Sequence, residues 1–138
     1  RNEKVGDKEF VKKYGKITKF TYGCQEGEND IYVYRMNMTN ENGDIVEYPW
    51  SLVKQRCDEM HVKHAPELEK FFYSAEKDIG YFEDKYCSEP DPIGKTHVTE
   101  GIVLRLDDRK EFTALKHKGM YFKILEGLIK DSGLIDQE

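Results

Sequence analysis

With 138 residues the chain has room for one domain, or for one lobe of a larger one. Apolar residues make up 38% and charged residues 36%, with nine Tyr, seven Phe and one Trp, enough large side chains for a real core and too many for a disordered tail. No stretch approaches the roughly 18–20 consecutive apolar residues that cross a bilayer, and mean hydropathy is −0.80, so a membrane span is excluded. A net charge of −5 argues against a nucleic-acid binder that is basic throughout. The imbalance is local: Lys95 to Lys130 carries eight basic and five acidic residues, a net +3 that leaves −8 elsewhere. Cys24, Cys57 and Cys87 are odd in number and follow no framework spacing, which points to reduced thiols and a cytoplasmic protein. The chain opens on Arg1, and RNEKVGDKEF is neither a signal nor a transit peptide, so the expectation is a cut or trimmed start.

In chain order, strand signals come first: Ile17, Phe20 and Tyr22, then Ile31 to Met38, rich in β-branched and aromatic residues, with a turn from Gly23 to Asp30 between them. In the second run Tyr32, Tyr34, Met36 and Met38 share one face. Asn42-Gly43 supplies a hairpin turn into a return strand, Ile45 to Tyr48. Pro49 ends that strand, and Trp50, Leu52, Val53, Cys57 and Met60 recur at helical spacing, predicting a helix over 51–61. A second helix is expected over 75–86 with Ile79, Phe82 and Tyr86 as its buried stripe, and Ser88 to Gly94 reads as a loop. Gly101 to Leu106 and Phe112 to Lys116 read as strands. Met120 to Lys130 reads as an amphipathic helix on Phe122, Leu125 and Ile129, with Gly133 beyond its end. The order ββ, αα, ββ, α predicts an α+β fold, an antiparallel sheet with packed helices.

Chemistry concentrates in Thr99-Glu100-Gly101-Ile102-Val103-Leu104-Arg105 and, eleven residues on, Lys116-His117-Lys118. Lys116 and Lys118 share one face of a strand about 6.5–7 Å apart, a spacing suited to a polyphosphate. If Asp107 lies opposite Glu111 in an antiparallel hairpin, Glu100 faces Lys118; if Leu106 does, His117 takes that place and the lysines point away. A carboxylate beside two ammonium groups is what stabilises charge on a phosphoryl group whose bonds are changing. The bland alternative is an edge strand followed by a solvated Lys-x-Lys face.

Glu-Gly-Ile-Val-x-Arg, a short acidic turn, Lys-x-Lys and an aromatic helix (Met120-Tyr121-Phe122-Lys123) resemble motifs IV and V of the covalent nucleotidyltransferases, and within them the ATP-dependent RNA ligases. Asp91-Pro92-Ile93-Gly94-Lys95-Thr96-His97-Val98 looks like the lead into motif IV of phage-type RNA ligases, and Ile31 to Met36 is similar to motif IIIa. The resemblance covers about Ile31 to Gly127. It implies part of an adenylyltransferase domain with an ATP-grasp-like ligase fold. The implied reaction joins an RNA 5′-phosphate to a 3′-hydroxyl through lysyl-AMP and RNA-adenylate, with ATP and Mg²⁺ as cofactors and RNA ends as partners. It also implies roles: Glu100 holding Mg²⁺ or orienting the nucleophile, Lys116 and Lys118 on the α-phosphate, and Tyr34 stacked on adenine, a contact of roughly 1–3 kcal/mol. Tyr34 is equally readable as a core tyrosine, and Tyr32 competes on the same face. Tyr22-Gly23-Cys24-Gln25-Glu26 fits motif III poorly, so no residue is assigned there.

Motif I, Lys-x-Asp-Gly with its nucleophilic lysine, does not occur; the looser matches Lys12 to Gly15, Lys77 to Gly80 and Lys116 to Gly119 are expected by chance. The expectation is a carboxy-terminal piece lacking the amino-terminal part of the same polypeptide and unable to adenylylate itself. Competing readings are a DNA ligase or capping-enzyme fragment and a non-catalytic α+β binding module. Cys57 and His61, one helical turn apart, with His64 nearby, form a rival metal set, although a Cys on a buried stripe is usually core. His97 and His117 are expected at the surface, within reach of phosphate.

Overall fold

The computed structural model describes residues 20–107 and 109–131. Ile17, the Lys12 to Gly15 match and Gly133 lie outside the described residues, as does the side chain of Ile129. In chain order the elements are β1 (Tyr32–Val33), β2 (Asn37–Thr39), β3 (Ile45–Glu47), α1 (Trp50–Met60), β4 (Lys63–His64) and α2 (Ile79–Phe82), which runs on into a π-helical turn (Glu83–Cys87), then β5 (Gly101–Leu106), β6 (Thr113–Lys118) and α3 (Met120–Asp131). The architecture is mixed α and β, as expected of an α+β chain. The described residues group into two compact units, one holding residues 20–25, 72–102 and 116–131, the other residues 26–71, 103–107 and 109–115.

In the first unit Val98, Phe122 and Leu125 form a buried cluster with Phe20 packed against it. Phe122 and Leu125 are the stripe that the helical period of α3 predicts. Helix α2 starts at Ile79 instead of at 75, because the Asp78 carboxylate accepts the Tyr81 N–H (2.9 Å) and caps the helix there, while a turn closed by Lys77 N–H to Ser74 O (3.0 Å) occupies the residues before it. The loop after Cys87 folds back on itself: Asp91 N–H donates to His97 O (2.8 Å) and Thr99 N–H to Glu89 O (2.9 Å). Gly94, at φ +73°, lies so close to Tyr22 that a Cβ would stand 2.2 Å from its carbonyl oxygen.

In the second unit β2 and β3 pair antiparallel, Asn37 opposite Glu47 and Thr39 opposite Ile45, around the Asn42-Gly43 turn. Asn40 Oδ1 accepts the N–H groups of Asn42 and Asp44 and holds that turn. The expectation of a purely antiparallel sheet is corrected here. β1 and β4 run parallel, Tyr32 opposite Lys63 and Val33 opposite His64, joined by the helical crossover that parallel neighbours need. For the same reason Ile31 to Met38 is not one strand: Val33 O accepts from Ala65, whereas Met36 O accepts from Tyr48, so the run changes partner between them. Helix α1 buries Val53 and Cys57 and ends at His61, whose φ is +55°. Among the described residues, no helix is long and apolar enough to cross a membrane.

Candidate functional site

Glu100 stands immediately before β5, and its carboxylate is held from two sides. The Tyr22 hydroxyl donates to Oε2 (2.9 Å), and the Lys116 ammonium lies 3.7 Å from Oε1. Burial first, then the bond to Glu100 and the charges of Glu100 and Asp91, push the Tyr22 phenol far above its ordinary value, so it remains a donor at any working pH. Glu100 is 35% exposed in its side chain and Lys116 72%, leaving the ammonium open to solvent. Tyr22 escapes sequence reasoning because it carries no spacing signal; it reaches Glu100 from a segment without regular structure, set by the close approach of Gly94.

Lys118 is placed differently from Lys116. Its ammonium donates to Glu126 on α3 (2.6 Å) and lies 5.3 Å from the centre of the Phe122 ring. The hairpin register differs from both alternatives drawn from the sequence. Gly119 N–H donates to Glu100 O (2.8 Å), so Glu100 faces Gly119, and counting along the strands sets Leu106 opposite Thr113, where both strands end. Asp107 accordingly leaves the ladder. Its carboxylate accepts the Trp50 N–H at the start of α1 (3.2 Å) and the Arg105 Nε–H (3.0 Å).

Tyr34 is 68% exposed and belongs to the second unit, so it is not a core residue. Tyr32, its competitor, is half-buried under the Lys63 ammonium at 5.4 Å. A small cleft in that unit, lined by Tyr48, Arg105 and Phe112, holds about 80 Å³. Small-molecule sites need roughly 300–1,000 Å³, so this cleft alone does not take a nucleotide.

The histidines depart from expectation. His97 is 1% exposed, its ring packed edge-on against Phe20 and Tyr22 with centroids 5.2 and 4.5 Å away, because the Asp91 to Val98 turn folds it into the core. His117 is a quarter exposed and bonded through Nε2 to Glu83 Oε2 (2.5 Å). Glu83 Oε1 also accepts the Met120 N–H (2.8 Å), anchoring the start of α3. Burial alone would raise the Glu83 carboxyl, but the Met120 N–H and His117 outweigh it and hold it below the usual range. Burial, then the Glu83 charge and bond, push the Cys87 thiol up to about 11. The rival set does not assemble: Cys57 is fully buried, His61 is exposed beyond the helix end, and His64 spends Nδ1–H on Ala65 O (2.8 Å). All three cysteines are free.

In comparisons with known proteins, no family model, curated protein or solved structure matches the chain.

Proposed function

We propose that the chain is part of the adenylyltransferase domain of an ATP-dependent RNA ligase, with Glu100 and Lys116 at the phosphate end of its nucleotide site. The observation that carries the reading is the pairing of Glu100 with Lys116, with Tyr22 holding the carboxylate from its other side. That sets a fixed negative charge and a solvent-accessible cation side by side at the open end of one hairpin.

Chemically, the arrangement suits a triphosphate and a hard divalent cation. Lys116 meets the charge on the α-phosphate. Glu100 offers Oε1, paired at 3.7 Å with the solvent-open Lys116 ammonium, to Mg²⁺, an ion usually bound by one or two carboxylates plus substrate phosphates. When bound, Mg²⁺ would supply charge neutralisation. Lys118 joins the phosphate site by leaving Glu126. Tyr34, solvent-exposed, is available as a stacking platform for adenine. No Lys-x-Asp-Gly occurs in these 138 residues, so the reading assigns no lysine of this chain to the covalent intermediate.

Titration of ATP or AMP into ¹⁵N-labelled protein tests this. Amide shifts at Tyr34, Glu100 and Lys116, weakened in Lys116→Ala, are the expected result. Unchanged spectra at millimolar nucleotide with Mg²⁺ would favour a binding module that takes no nucleotide.

A further inference from the structure

Outside the proposed nucleotide site, the first unit gathers three side chains of mixed donor type. Glu83, Cys87 and His117 each offer one ligand atom, and the three atoms lie within 4.8 Å of one another. We propose that Glu83, Cys87 and His117 form a binding site for a zinc-class divalent cation that clamps the helical segment 79–87 to the end of the β5–β6 hairpin.

Four features of the local structure support the site. The donor set is one thiolate, one imidazole and one carboxylate, a combination that suits zinc and neither Mg²⁺ nor Ca²⁺, which select oxygen ligands. Glu83 and Cys87 are the first and last residues of the π-helical turn, and single π turns inside helices recur at functional sites. The ligands are also pre-positioned by their surroundings. The Met120 N–H fixes the Glu83 carboxylate, the outer-shell bond that orients a metal-ligating group. Gly119 leaves room for the thiol, since a Cβ there would stand 3.0 Å from Cys87 Cβ and 3.4 Å from its sulfur. Finally, Glu83 and His117 are each about a quarter exposed, so a water can complete a tetrahedron from the solvent side, while Cys87 closes the site from within.

A tetrahedral zinc sets its ligand atoms about 3.3–3.6 Å apart. His117 Nε2 and Glu83 Oε2 therefore open by roughly 1 Å, and the cation takes the place of the proton they share. His117 keeps its ring proton on Nδ1, and Cys87 gives its thiol proton to solvent as the metal–sulfur bond forms. The positive ion reverses the local electrostatics that otherwise hold the thiol protonated.

The test uses the whole 138-residue protein with Zn²⁺ and Co²⁺ as probes. One Co²⁺ per chain is expected, with a thiolate-to-cobalt charge-transfer band in the near ultraviolet and the intense visible bands of tetrahedral cobalt. Cys87→Ser is expected to abolish the charge-transfer band. His117→Gln, at a partly exposed position, is expected to weaken Zn²⁺ at least tenfold in competition with a chromophoric chelator even if the serine variant fails to fold. Cys57→Ser should leave both readouts unchanged. The proposal is overturned by a wild-type cobalt spectrum without the charge-transfer band, by unaltered zinc affinity in His117→Gln, or by loss of the band in Cys57→Ser. Nucleotide plays no part in these readouts, so they stand or fall apart from the ligase reading.

Discussion

The Tyr22 hydroxyl and the Glu100 carboxylate, 78 positions apart in the chain, meet at 2.9 Å. A neutral donor held against a carboxylate fixes its direction without cancelling its charge, leaving the Lys116 side of the group available. Tyr22→Phe removes that bond. Hydrogen bonds to charged groups contribute roughly 1.5–3 kcal/mol, and partial exposure puts this one at about 1–2 kcal/mol. The expected outcome is an unfolding free energy from urea titration lowered by that amount and ATP affinity weakened several-fold. Unchanged nucleotide affinity alongside reduced stability would confine Tyr22 to a structural role.

The close approach that sets Tyr22 in place is open to a matched pair of substitutions. Gly94 and Gly43 both have positive φ, +73° and +84°, but a Cβ on Gly94 runs into the Tyr22 carbonyl while one on Gly43 meets nothing within 4 Å. Gly43→Ala is expected to cost about 1–2 kcal/mol, the left-handed backbone penalty alone. Gly94→Ala should cost roughly 2–4 kcal/mol, because overpacking against backbone adds to the same penalty. Equal losses by thermal or urea unfolding would mean that the Gly94 contact relaxes freely.

Lys118 supplies a test of opposite sign. Its ammonium is held by Glu126, so a phosphate must compete with that carboxylate. Glu126→Gln removes the competing charge and is expected to tighten ATP about two- to fivefold, the scale of a partly exposed ion pair, with little change in stability. Lys118→Ala should weaken ATP less than Lys116→Ala, since Lys116 starts 72% exposed and unclaimed by α3. The reverse ranking in isothermal titration would move the phosphate site to Lys118.

Where local period and turn chemistry act alone, the sequence and the structure agree. The bounds of β5, the Asn42-Gly43 hairpin, the start of α3 and the Phe122 and Leu125 stripe all follow from residues within one or two turns of each other. The disagreements have remote causes. Asp107 bonds the Trp50 N–H of α1 outside the ladder, and Glu100 meets Gly119 instead of Lys118 or His117. His97 looks like a surface histidine in a polar loop until Phe20, Tyr22 and Phe122 close around it. Of the candidate site, the strand segments that carry Glu100 and Lys116 are legible in the sequence, but their pairing is not, since alternation sets Glu100 against Lys118 or His117. Tyr22 beside Glu100, and His117 beside Glu83 and Cys87, are not legible either, because each contact joins segments that nothing in their spacing relates.

The bond from Asp107 to Trp50 has a measurable consequence. A hydrogen bond to a charged group from the first N–H of a helix contributes on the order of 1 kcal/mol when exposed, so Asp107→Ala is expected to lower stability by about 1 kcal/mol and to speed amide exchange in the first turn of α1. The Gly119 amide, bonded to Glu100 at the other end of the hairpin, should keep its protection. Loss of protection at Gly119 as well would show that Asp107 holds the whole register rather than one helix end.

Acid should weaken the second unit in a defined window. The Arg35 guanidinium bonded to Glu47 holds that carboxyl below its ordinary value, against an opposing effect of desolvation, and Lys63 beside Asp30 and Lys54 beside Glu67 act in the same direction. A carboxyl whose folded pKa lies below its unfolded one contributes stability that is complete above the unfolded value. That contribution drains away as pH falls through the folded value, since the unfolded chain then binds the proton first. Trp50, the single tryptophan, sits in the same unit and reports its unfolding by fluorescence. The urea midpoint is therefore expected to hold steady from pH 7 to about 5 and to decline below about 4.5, where free carboxyls begin to protonate. Glu47→Gln should flatten that decline, because Glu47 is only 5% exposed in its side chain and its pairing with Arg35 is the best shielded of the three. An acid slope identical in wild type and Glu47→Gln would assign the sensitivity to other carboxylates.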